Sequence, residues 1–232
     1  MDPPLRLIGA DGCPGGWMVA LEFADRTTAL ERWSTPQLGW AAQLGSVAII
    51  VIDIPIGLSA AGPRACDLEA RQLLGHPRSS SVFPAPLRRM LAATGYQQAQ
   101  SIRQAIEGTG CSRQAFGIQA KVAEVDQLLR HQGAEKLREG HPELSFRRLA
   151  GGASLPTSKH RREGRITRWE LVRAEFPEVA ELDPERASSA DSLDAYACLA
   201  TARRIAAGTA SSVPAGLVQL DPELQVPMRI WF

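Results

Sequence analysis

Residues 5–21, LRLIGADGCPGGWMVAL, decide the fold. An apolar run climbs to Asp11, a turn follows over Gly12, Cys13, Pro14, Gly15 and Gly16, and Trp17 opens a second apolar run. The pattern predicts a strand, a tight turn and an antiparallel return strand, because glycine takes turn geometry that side-chain-bearing residues resist. One carboxylate, Asp11, is left at the end of the first strand.

Working outward, residues 27–33 (TTALERW) read as a third strand, with β-branched and aromatic residues alternating roughly with polar ones. A short helix is predicted from Thr35, as N-cap, through Pro36 in the first helical position to about Leu44. Residues 47–54, VAIIVIDI, are almost continuously β-branched and apolar, which marks a strand buried on both faces. This fourth strand ends with Asp53, and Pro55 and Gly57 break the pattern at once. The carboxyl edge of an open α/β sheet is where ligands bind. A lone aspartate there is commonly a turn residue, whereas Asp11 and Asp53 at matching strand ends point to a site.

Further along, residues 64–74 form a predicted helix between Pro63 and Gly75. The Pro- and Ser-rich run HPRSSSVFPAP (76–86) is a loop long enough to face a substrate. In it, Arg78 with Ser79, Ser80 and Ser81 is suited to phosphate oxygens, or is an ordinary surface loop. Helices are expected over 97–107 and 116–131, the second with Ile118, Val122, Val125 and Leu129 on one stripe. A short strand over 135–141 leads into a helix opened by Pro142 and Glu143. Glu143 resembles Asp11 and Asp53 in following a strand, although an acid in a first helical turn also complements the helix dipole. A helix over 165–176 follows, and Asp183–Pro184 marks a turn. The last helix, residues 190–207, is capped by Ser188 or Ser189. Its Asp191 and Asp194 stand three apart on one side, ahead of small residues that allow close packing on a sheet. The tail suggests one or two edge strands interrupted by Pro222 and Pro227.

Composition narrows the class. With 232 residues, 44% of them hydrophobic, the chain supports one large domain, 1–232, with a mostly helical insertion at about 58–133. No apolar run approaches the roughly 20 residues of a membrane span, and no signal-peptide pattern opens the chain. A cytoplasmic location and no membrane partner are the expectation. The four cysteines, Cys13, Cys66, Cys111 and Cys198, lie far apart without CxxC or Cys/His pairing, which suits reduced thiols. The net charge of +1 conceals a basic segment containing Arg147, Arg148, Lys159, Arg161, Arg162, Arg165 and Arg168. Such a segment suits an anionic partner, or is a solvated surface.

The acids at element ends are therefore Asp11, Asp53, Glu143, Asp191 and Asp194. Mg2+ and Mn2+ favour oxygen ligands, and paired ions about 4 Å apart activate water and stabilise a leaving oxygen in phosphodiester hydrolysis.

Taken together, GADGCPGGW, IDIPIGL, ARQLLG, SSVFPAPLR, HPELSF, TSKHRREG and DSLDAYACLATARRI resemble an uncharacterised family described as predicted RNase H-like nucleases (domain of unknown function 429). The resemblance implies an α/β fold with an RNase H-like mixed sheet in order 3-2-1-4-5, flanked by helices. It implies a metal-dependent nuclease using Mg2+ or Mn2+, with Asp11, Asp53, Asp191 and Asp194 as catalytic metal ligands. In this reading Asp11 anchors the metals, Asp53 and Asp194 ligate them, and Asp191 or Glu143 completes the catalytic set. Arg147, Lys159, Arg161 and Arg162 would bind the nucleic acid, DNA or RNA. The related superfamily more often has Glu on the fourth strand, where this chain has Asp53. Two other readings share these residues: an actin-like nucleotide-binding ATPase or kinase, and a non-catalytic metal-binding scaffold.

Overall fold

The structure, a computed structural model, describes residues 3–132, 135–181 and 189–232. Its first half opens with β1 (Leu5–Cys13), β2 (Gly16–Phe23), β3 (Thr28–Trp33), α1 (Thr35–Gln43) and β4 (Ile49–Ile52). Between β4 and the next strand lie α2 (Ala65–Leu74), α3 (Tyr96–Glu107), α4 (Arg113–Gly117) and α5 (Gln119–Gln132), with 3-10 turns at Arg78–Ser81 and Arg88–Ala92. The chain then returns through β5 (Leu137–Gly140), α6 (Pro142–Leu149), α7 (Arg162–Glu175) and the long helix α8 (Ala190–Ala206). It finishes with β6 (Ser212–Val213) and β7 (Ile230–Trp231).

These strands form one mixed sheet in order β3-β2-β1-β4-β5-β7-β6. The expected order 3-2-1-4-5 is its larger part. β1 and β2 pair antiparallel from Cys13↔Gly16 outward, so Pro14 and Gly15 make the hairpin turn. Gly15 takes φ +79°, a conformation open to glycine at little cost. β1, β4, β5 and β7 run parallel. Of the one or two edge strands expected in the tail, β6 lies at an edge of the sheet, while β7 lies inside it beside β5.

Strand alternation sorts the side chains between two cores. Ile8 and Ala10 of β1, with Ile50 and Ile52 of β4, join Val122, Val125 and Leu129 of α5 on one face. Leu7 and Val51 join Leu193, Ala197, Cys198 and Leu199 of α8 on the other. Asp11 is in step with Leu7 and Gly9, and Asp53 with Val51, so both belong to the α8 face. Gly9 permits the close approach of that helix. A Cβ there would lie 2.1 Å from Leu199 N and 2.3 Å from Ala195 O. Gly9→Ala must therefore push α8 off the sheet, at or beyond the ~1–3 kcal/mol usual for overpacking. A clear fall in Tm is the expected result; an unchanged Tm would contradict this contact.

Some local readings shift. Ser34, not Thr35, is the N-cap of α1, with its N–H donating to Gln37 Oε1 at 2.8 Å. The Thr35 hydroxyl is engaged elsewhere, accepting from Trp17 Nε1 at 3.0 Å. The helix expected over 116–131 breaks at Ile118 into α4 and α5. Ser189 caps α8, its Oγ accepting from Ser192 N at 3.2 Å. The expected turn at Asp183–Pro184, and Ser188, lie outside the described residues. Among the described residues no helix is long and apolar enough to cross a membrane.

Candidate metal centre

Three elements bring three carboxylates together. The parallel pairing of β1 and β4 ends at Ala10↔Ile52, so the next residue on each strand is an aspartate. Asp53 N–H donates to Ala10 O at 2.9 Å, locking the two strand ends side by side. From α8, Asp194 reaches the same point one residue before the Ala195 carbonyl that rests over Gly9. One ligand oxygen from each of Asp11, Asp53 and Asp194 lies within 4.8 Å of the others.

The environment resists so much negative charge. Burial, then repulsion from Asp194 and Asp53, raises Asp11 well above the ordinary carboxylate range. Burial likewise pushes Asp53 up to about 6, opposed by the nearby His141 ring. Asp194 is fully buried, and its Oδ1 has no hydrogen-bond partner among the described residues. A buried carboxylate oxygen without a donor is costly unless a cation or an unseen partner serves it. Hard oxygen donors, closely grouped, with one oxygen left over, fit Mg2+ or Mn2+.

The other expected residues fall into different roles. Asp191 is partly exposed and lies outside the close triad, although its charge reaches Asp11. Glu143 is buried in a two-pronged ion pair, accepting from Arg168 Nη2 at 2.6 and 2.8 Å. Arg168 is fully buried and also donates to the Thr157 and Gly164 carbonyls. The basic segment is therefore not a uniform phosphate-binding face, because one of its arginines holds α7 onto α6. Lys159 does not extend into solvent; its ammonium donates to Asp194 Oδ2. Burial opposes that charge, but Asp194 and Asp11 together hold Lys159 above the ordinary lysine range. Arg161 and Arg162 are exposed at the start of α7, and Arg147 is partly buried on α6. None of these three arginines lines the cleft described next.

Asp11 and Asp53, with Lys159, line a cleft of about 900 Å3, while Asp194 lies buried behind them. The cleft walls also include the β1–β2 turn, Arg78, Ser80 and Ser81 of the 3-10 turn, Lys121 of α5, and His141. Lys121 sits 4.6 Å from the Trp17 ring centroid and pairs with Glu124 at 2.7 Å. His141, which the acid inventory passed over, follows β5 directly, and its position beside a strand end in HPELSF was the available signal. All four cysteines are unbridged and buried. Arg32 Nη2 donates to Cys13 Sγ at 3.4 Å, so this thiol fills the turn beside the cleft.

The model of the family described as protein of unknown function (DUF429) matches residues 9–217. The chain belongs to the DUF429 family. No curated protein and no solved structure matches it. In this DUF429 chain the match begins at Gly9, two residues before Asp11, and runs beyond α8, so all three carboxylates lie within it.

Proposed function

We propose that this protein is a divalent-metal-dependent phosphodiesterase of RNase H-like fold that hydrolyses nucleic acid. The observation that carries the reading is the grouping of Asp11, Asp53 and Asp194 at the carboxyl edge of the sheet, with Asp194 Oδ1 unpartnered. Mg2+ or Mn2+ held by these oxygens supplies Lewis-acid polarisation of a phosphoryl group and a nucleophilic water. The protein's part is positional. β1 and β4 fix two carboxylates through their shared register, and α8 fixes the third through its contact at Gly9. Arg78 on the cleft wall supplies a guanidinium suited to phosphate oxygens, whereas the Ser80 and Ser81 hydroxyls donate within their own turn to the Pro77 and Arg78 carbonyls.

The test is a substrate panel of single- and double-stranded DNA, RNA, hybrids and junctions, run with Mg2+, Mn2+ or chelator. Metal-dependent cleavage is expected; saturable ATP binding without cleavage would favour the nucleotide-binding reading, whose phosphate cradle would be the same β1–β2 turn. Metal binding without turnover on any substrate would favour the scaffold.

Proton linkage gives a further prediction. With Asp53 pushed up to about 6 and Asp11 also raised, the cluster retains protons at pH 6 that a cation must expel. Mn2+ affinity is expected to rise with pH across that region, with protons released on binding. Calorimetry in buffers of different ionisation enthalpy measures the release, and buffer-independent heats at pH 6 would contradict it.

A further inference from the structure

We propose that Lys159 is a resident cation of this centre and limits it to one divalent ion per chain. The inference rests on the metal-centre reading above and concerns how many ions that centre takes. In a two-metal site, paired ions 3.5–4 Å apart share the surrounding carboxylates. Here the two oxygens of Asp194 already have different fates. Oδ2 is taken by the Lys159 ammonium, while Oδ1 is buried without a partner among the described residues. Lys159 thus takes one oxygen of this carboxylate that a second cation would need, and the other oxygen is left without a partner.

Charge balance leads to the same count. Once a bound cation has expelled their protons, the triad's three carboxylates and the Lys159 ammonium leave two negative charges, which one divalent ion neutralises. A second ion would leave uncompensated positive charge in a largely buried pocket, where desolvation is expensive. Neighbouring groups do not supply the missing anion: Glu143 is neutralised by Arg168, and His141 carries no negative charge. Asp191 lies outside the triad and is partly exposed. Lys159 comes from the segment joining α6 to α7, next to Ser158, whose carbonyl lies against Gly164 at the start of α7. Its side chain is only 30% exposed, so the ammonium is held in the pocket rather than resting on its rim.

The experiment counts bound Mn2+ by calorimetry, with electron paramagnetic resonance to detect a spin-coupled pair, on wild type, Lys159→Met and Lys159→Arg. One ion per chain is expected for wild type and Lys159→Arg. Two are expected for Lys159→Met, with the coupled signal appearing only there. Thermal melting confirms that each variant folds, and Lys159→Gln replaces Lys159→Met if the latter does not. Two ions on wild type would overturn the proposal, as would one ion on wild type and on the neutral variant alike. The latter result leaves the metal centre standing, whereas no ion on any of these proteins removes the centre as well.

Discussion

Asp11→Asn is expected to abolish metal-dependent cleavage while leaving the protein folded. The substitution keeps the size of the side chain and its place on β1 but removes the negative charge that a divalent cation needs. Loss of an outer-shell partner of a metal ligand typically costs 10–100-fold, so loss of a ligand itself is expected to exceed ~100-fold. Folding should be spared, because Asp11 is 8% exposed among like charges that already raise its proton affinity. Relieving that repulsion is expected to hold Tm at or above the wild-type value. Rates by gel assay and Tm by calorimetry check the two halves together. Undiminished cleavage by a clean preparation would remove Asp11 from the chemistry; a collapsed Tm would make it structural.

Arg168→Met is expected to have the largest effect on stability. Arg168 is fully buried and bonded through Nη2 to both oxygens of Glu143, itself 6% exposed. Removing the guanidinium strands a carboxylate inside the protein, and breaking such a pair typically costs about 3–5 kcal/mol. Removing both charges is different, since apolar replacements of buried pairs are often neutral or stabilising. The double variant Arg168→Met with Glu143→Leu should therefore recover most of the loss in urea denaturation. A single-variant cost below ~1 kcal/mol, or a double variant no better than the single, would contradict the buried pair. The cycle also separates two roles for Glu143. If its work is to hold α6 to α7, the double variant still binds Mn2+.

Much of this fold was legible because its central strands are almost continuous apolar runs that stop abruptly. Asp11 and Asp53 could be read from where apolar sequence stops, although β1 runs on past Asp11 to Cys13 in the hairpin and Asp53 is the residue after β4. Asp194 was legible as an acid on a helix otherwise small enough to pack closely, and Gly9 is the other half of that contact. The order of the first five strands came with the family resemblance, since residue patterns do not state which strands are neighbours. β6 and β7 were obscure for a physical reason: each has two residues, and their placement depends on pairing with distant chain. The basic segment misled because sign of charge says nothing about direction. Arg168 turns inward to Glu143 and Lys159 to Asp194, while Arg161 and Arg162 face solvent. Only the fold determines which arginine finds a buried acid.

The most direct test of the metal centre is anomalous diffraction from crystals of this protein soaked in Mn2+. The account predicts a manganese peak bounded by Asp11, Asp53 and Asp194, lost in Asp194→Asn. Absence of a peak at saturating Mn2+, or a peak elsewhere with these three carboxylates unengaged, would contradict it.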